Sequence, residues 1–272
     1  MQLQSVGVVR TGVRTRKEMP TFGSPARIEI HPEFADALYR IEKHSHIWVL
    51  AWLDESERGV LQVTPRRLAA SGPDALHGVF AVRSPARPNP IGLTAARVLS
   101  IDGLAISVDR LDFIDGTPVI DCKPYFIARD LIFSASNRQI GRTASRESLR
   151  DSLLMQALNF HGELCEDLAL AVRIVEDFRV RFYQMDDPDS WHITVPLGRP
   201  RLIDAIMGMT RATPGRGTLQ FHQRDSVRFA LEETVMEYEP RPSGLAASEI
   251  LEAPVETLVS FTRFPAGALS GQ

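Results

Sequence analysis

At 272 residues the chain has room for one large domain or two modest ones, and its 44% apolar and 24% charged residues are those of an ordinary soluble globular protein. No apolar run is long enough to span a bilayer and no charged-then-apolar leader opens the sequence, so a cytoplasmic protein without membrane contact is expected. Two cysteines, Cys122 and Cys165, are too few for a disulfide framework or a four-cysteine zinc site, and a net charge of −3 argues against broad nucleic-acid binding while leaving room for a local basic patch on one structured RNA.

Leu3 to Thr11 reads as a strand ending at Gly12, and the basic run Arg14 to Lys17 leads into a loop, Met19-Pro20-Thr21-Phe22-Gly23. Arg27 to His31 alternates like a short strand. From Pro32, Phe34, Leu38 and Ile41 recur at helical spacing, with Pro32 suited to a first turn and Glu33 complementing the dipole. His46 to Leu53 is apolar enough to predict a central buried strand ending at Asp54-Glu55-Ser56, and Leu61 to Val63 begins another. Residues 71–74 read as a loop.

Residues 78–125 hold two stiff, charge-bearing turns. In GVFAVRSPARPNPIGL, prolines 85, 88 and 90 each fix one φ and restrict the preceding residue, displaying Arg83, Arg87 and Asn89 from a rigid non-helical backbone. In RLDFIDGTPVIDCKPY, Asp115-Gly116-Thr117-Pro118 reads as a tight turn. Beyond it, residues 119, 121, 123 and 125 are expected to share one sheet face, aligning Asp121, Lys123 and Tyr125. Residues 1–130 carry 16 basic and 15 acidic groups, a net of +1, so this half is no electrostatic magnet for nucleic acid.

The texture then changes. Ser134 to Ser145 is polar and Ser/Arg-rich, and residues 134–150 are expected to link a strand-dominated domain, 1–133, to a mixed α+β domain, 151–272. Arg138, Arg142, Arg146 and Arg150 recur every four residues, a basic stripe if helical, which reads as a solvated face or, alternatively, a track for RNA phosphates. Helices are expected from Arg146 through Leu149, Leu153 and Ala157, through Leu164 to Val175, and around Ile203, Ile206 and Met207. A turn at Thr213–Thr218 precedes strands at Leu219–Phe221 and Val227–Leu231, and the tail beyond Pro240 carries no readable pattern.

The sequence contains no G-x-G-x-x-G after a first strand, no P-loop lysine, no G-x-S-x-G elbow and no His-Glu zinc-hydrolase motif. His161 and Cys165 are two possible metal ligands, which a helix would bring together, but two fall short of the usual three or four and no metal is expected.

GVFAVRSPARPNPIGL and LDFIDGTPVIDCKPY, in that order, resemble the paired signatures of the TsaA-like family, also called YaeB or TrmO; the resemblance runs over roughly residues 5–127 and includes EFADALYRIEKHSHIWVLAWL. It implies a mainly β N-terminal barrel and an S-adenosylmethionine-dependent methyltransferase, usually a homodimer. The implied acceptor is the exocyclic nitrogen of threonylcarbamoyl-adenosine next to the tRNA anticodon. Carried over by motif, Arg83 contacts the cofactor, whose carboxylate suits a guanidinium. Leu93 and the segment Asp112, Phe113, Ile114 and Asp115 wall the adenosyl part, and Pro20, Thr21, Phe22, Asp54 and Glu55 supply further cofactor contacts. Arg87 is implied in substrate binding, and Asn89, Lys123 and Tyr125 in orientation and proton management, with no definite base. Family members commonly carry Pro-x-Gln in the early loop, where this chain has Pro20-Thr21-Phe22, and often a His where it has Asp54. Rival readings are alkyl transfer to a small molecule and a non-catalytic S-adenosylmethionine- or metal-sensing module.

FHGELCEDLALAVR and RLIDAIMGMTRATPGRGTLQFHQRDSVRFAL resemble the FmdE-like α+β domain. Its His-Gly-His-x-Cys-Pro-Gly pattern is altered here: Glu163 replaces the second His and Glu166-Asp167 replace Pro-Gly. The later Thr-Gly-Cys-Thr turn has lost its cysteine in Met209–Thr213. This domain is expected to serve dimerisation or substrate selection.

Overall fold

The structure, a computed structural model, describes residues 2–65, 75–135, 145–181, 191–231 and 233–265. The chain divides into two units, one holding the described residues up to Ala135 and the other those from Ser145 onward.

The N-terminal unit contains β1 (Gly7–Arg10), β2 (Ser24–Ile30), β3 (His46–Trp52), β4 (Gln62–Val63), β5 (His77–Gly78), β6 (Ile91–Asp102), β7 (Ala105–Leu111), β8 (Pro118–Pro124) and the single helical turn α1 (Ile127–Asp130). Six strands close into a barrel in the order β1-β2-β7-β6-β3-β8, every pairing antiparallel, as the mainly β expectation required. Alternation fills it: Ile47, Val49 and Ala51 of β3 point inward with Ile28, Ala96, Ile106, Val108 and Val119. β3 is thus a true strand, but half of its apolar residues, Trp48, Leu50 and Trp52, lie on the outer wall and are only partly covered. The helical spacing after Pro32 becomes two 3-10 turns, Pro32–Leu38 and Ile41–Lys43, which pack Phe34, Leu38 and Ile41 against the barrel core. β4 pairs with β5 outside the barrel.

The second unit runs α2 (Arg146–His161), α3 (Glu166–Arg181), β9 (His192–Pro196), α4 (Pro200–Thr210), β10 (Leu219–His222), β11 (Val227–Leu231), β12 (Thr234–Pro240), α5 (Ala247–Glu252), α6 (Val255–Leu258) and β13 (Val259–Pro265). Its five-stranded sheet has the order β10-β9-β11-β12-β13, with β10 and β9 parallel. Ser145 caps α2 by accepting from the Ser148 amide at 3.0 Å, so residues 146–150, expected as the end of a linker, are its opening turns. The unpatterned tail supplies β13, which completes the sheet beside β12.

Arg146 and Arg150 are not a phosphate track. Both turn onto Glu176 of α3, at 2.7 and 3.0 Å, where the carboxylate is fully buried and also takes Arg173 at 2.5 Å. Arg138 and Arg142 lie outside the described residues.

Candidate active site

Antiparallel closure sorts the connections to two ends. The end of β1, the start of β2, the ends of β3 and β7, and the starts of β6 and β8 all open on one rim. Pro20, Thr21, Phe22, Asp54, Glu55, Arg83, Arg87, Asn89, Asp112 and Asp115 fall on that rim or its loops.

The rim is tied by main-chain contacts that few residue types permit. Gly23, with φ +87°, lies so close to β7 that a Cβ there would approach the Leu111 carbonyl to 2.6 Å, which docks the 20–23 turn beside Asp112. Arg16, from the early basic run, donates to the Glu55 carbonyl at 2.9 Å and to Ser56 Oγ at 2.7 Å, joining that loop to the end of β3. Asp115 Oδ1 accepts from the Thr11 amide at 3.1 Å. The turn itself closes from Ile114 to Thr117, with Gly116 at φ +81°, one residue earlier than expected.

The two signatures meet at Gly92. A Cβ on it would lie 2.4 Å from Phe113 Cε1, so the Phe113 ring occupies the space that glycine leaves free. Phe113 is buried in the barrel core, and its side chain is not on the rim surface. Asp112, exposed, accepts a hydrogen bond from Thr94 Oγ1.

Arg83 and Arg87 divide their labour. Arg87 turns back into its own loop and donates to the carbonyls of Val79 (2.9 Å), Val82 (2.7 Å) and Ser84 (2.8 Å). Its guanidinium therefore shapes the proline-rich loop instead of standing free for a substrate. Arg58 donates to Pro88 O at 3.3 Å and Leu53 N to Pro90 O at 2.8 Å, fastening the same loop to the end of β3. Arg83 is exposed and has no hydrogen bond or ion pair among the described residues. Asn89 is exposed and uses its carbonyl to receive the Ile91 amide at 2.7 Å.

Lys123 and Tyr125 sit elsewhere. β8 is seven residues long, so its far end lies about 20 Å from the rim. A bulge shifts the register: Ala51 faces Val119 but Leu50 faces Asp121, leaving Ile120 as the extra residue. Val119 consequently points into the core, whereas Asp121 and Lys123 point outward, so the expected single face from 119 to 125 is broken at 120. The outer wall they join also carries Trp48, Leu50 and Leu93, with Tyr125 tilted on Trp48 at 5.5 Å between ring centroids. Lys123 pairs with Asp121 at 2.5 Å, and that hydrogen bond raises its pKa and keeps it an ammonium, unsuited to act as a base. Cys122 points inward, where burial pushes its thiol up to about 12.

In the second unit, His161 and Cys165 are brought together by a reversal of the chain and not by one helix: α2 ends at His161, Gly162 turns at φ +97°, and α3 begins at Glu166. Among the described residues no group of three or more His, Cys, Asp or Glu is arranged to hold a metal.

Residues 8–131 match the tRNA-methyltransferase O N-terminal domain. A probable S-adenosyl-L-methionine-binding protein of Methanothermobacter thermautotrophicus is 44% identical over 130 residues, which are 46% of this chain and 90% of that protein. The chain belongs to the TrmO family. Residues 160–241 match FmdE, described as molybdenum formylmethanofuran dehydrogenase operon. A probable S-adenosyl-L-methionine-binding protein of Archaeoglobus fulgidus is 42% identical over 180 residues, 64% of this chain, which spans 47% of that protein's length. The tRNA (adenine(37)-N6)-methyltransferase of Escherichia coli is 34% identical over 135 residues, 46% of this chain and 57% of that enzyme. In this TrmO domain the matched region contains the whole rim.

Proposed function

We propose that the rim of the TrmO barrel binds S-adenosylmethionine and that the protein transfers the methyl group to the exocyclic nitrogen of an adenine beside the tRNA anticodon, as threonylcarbamoyl-adenosine. The observation that carries this reading is the convergence on one rim of the proline-rich signature and the Asp112–Asp115 part of the second, locked by the Gly92–Phe113 contact, with Arg83 left unpaired among the described residues.

The residues fit the cofactor's chemistry. A carboxylate finds an unshared guanidinium in Arg83, amino and ribose hydroxyl groups find exposed carboxylates in Asp112 and Asp115, and an adenine finds the part-buried Phe22, next in sequence to the Gly23 that packs on the Leu111–Asp112 main chain. When bound, the cofactor supplies a methyl already activated by its sulfonium, so the protein's task is orientation and exclusion of water. Arg87 meets the first need indirectly by fixing the 79–90 loop on which Arg83 and Asn89 stand. Asn89 is placed to orient an acceptor at the rim. Lys123, held as an ammonium by Asp121, and Tyr125 act from the outer wall as electrostatic and hydrogen-bonding groups.

The protein acts as a homodimer in this reading. Support comes from the apolar outer wall, where Leu93 is 41% exposed, and from Phe80, 86% exposed two residues after β5. Nucleoside mass spectrometry of a strain lacking the gene tests the acceptor: methylated threonylcarbamoyl-adenosine disappears. An unchanged level moves the acceptor to a small molecule, a reading to which the net charge of −3 is better suited.

A further inference from the structure

The reversal between α2 and α3 assembles three side chains that the barrel chemistry does not use. His161 Nδ1 lies 3.1 Å from Asp204 Oδ2, and its other nitrogen, Nε2, lies 3.8 Å from Cys165 Sγ. The order carboxylate, imidazole, thiol is the arrangement of nucleophile, base and orienting group in which a thiol is activated, and such contacts are commonly loose before a ligand binds. His161 is the last residue of α2, Cys165 immediately precedes α3, and Asp204 lies in the first half of α4.

The local sequence builds this arrangement. Gly162 takes the left-handed conformation that ends α2, and its amide donates to the Leu158 carbonyl at 2.8 Å. The Cys165 carbonyl then receives the Ala169 amide at 2.9 Å, which sets the cysteine at the N-terminus of a 16-residue helix. Gly208 lets α4 come against α2: a Cβ there would stand 2.7 Å from Phe160 Cβ and 3.1 Å from the Gln156 carbonyl. One turn before Gly208, Asp204 meets His161. The His161 side chain is 11% exposed, Cys165 is half-buried, and the 162–164 turn over them is exposed, so a small reagent has access.

We propose that Cys165 is an activated thiol, with His161 as its base and Asp204 as the positioning residue that orients His161, and that it takes a low-molecular-weight disulfide. Sγ attacks one sulfur of the disulfide, a new S–S bond forms as the old one breaks, and the departing thiolate takes the proton that His161 Nε2 removed from the thiol. The disulfide is the oxidant, and Cys165 is left as a mixed disulfide. Cys122, the other cysteine of the sequence, points into the barrel core.

The test uses the full chain with Cys122→Ala and dithiodipyridine as the disulfide, following released thiopyridone at pH 6.5, where an unassisted thiol is only about 1% ionised. His161→Ala slows the reaction by at least about tenfold, and added imidazole restores part of the rate, a response that a purely structural histidine does not give. Asp204→Asn, a half-exposed position, slows it by about threefold and serves should His161→Ala not fold. Equal rates in the parent and both variants overturn the proposal, as does a parent thiol that is silent until EDTA is added, which would mark a metal thiolate instead.

Discussion

Phe113 fills the volume that Gly92 leaves vacant, with only 2.4 Å between its Cε1 and the position of a Cβ on the glycine. One contact therefore joins PNPIGL to LDFIDG, and the rim depends on it. Gly92→Ala forces the ring or the β6 backbone to move and is expected to cost about 1–3 kcal/mol of stability, as overpacked cores do. Denaturant unfolding reads this, and S-adenosylmethionine affinity falls with it.

Arg83 and Arg87, four residues apart in one loop, are expected to fail differently. Arg87→Ala removes three bonds to carbonyls, so hydrogen exchange across residues 79–90 speeds up and cofactor affinity falls through disorder of the loop. Arg83→Ala leaves the melting temperature within about a degree but weakens cofactor binding by about tenfold, roughly 1.4 kcal/mol. Equal melting losses in the two variants would contradict this division.

Much of this was legible beforehand, and the failures have physical causes. The paired signatures located the rim because stiff turns and special glycines are local features of sequence. Which of two loop arginines faces inward is not local: Arg87 is decided by carbonyls eight, five and three residues before it. The bulge at Ile120 inverted the faces of Val119 and Asp121, and no residue type in VIDCK announces it. Phe113, expected at the ligand, went to the core because its partner is a glycine two strands away in sequence. β13 has no pattern readable from its own residues, because its alternation is legible only beside β12.

Glu176 is the electrostatic centre of the second unit, fully buried among Arg146, Arg150 and Arg173. Glu176→Ala leaves arginines without their counter-charge and is expected to destabilise this unit by about 3–5 kcal/mol. Arg146→Ala, at a side chain 45% exposed, costs about 1 kcal/mol or less. Differential scanning calorimetry of the two variants checks the contrast.

Asp225 supplies an acid-sensitive contact. The Arg199 guanidinium hydrogen-bonds it at 2.6 Å and holds its carboxyl below the usual range. A depressed folded pKa means the stabilisation is present above about pH 4 and is lost as pH falls through the folded value. Asp225→Asn should therefore lower stability at pH 7, where the parent carries the full contribution, and flatten the loss below pH 4, so that the two proteins converge in acid. A variant as acid-labile as the parent would assign the loss to other carboxylates.

The most direct measurement is calorimetric titration of the full chain with S-adenosylmethionine. Saturable binding with one site per chain is expected, weakened by about tenfold in Arg83→Ala. A folded protein that gives no binding heat across temperatures and retains no radiolabelled cofactor would contradict it.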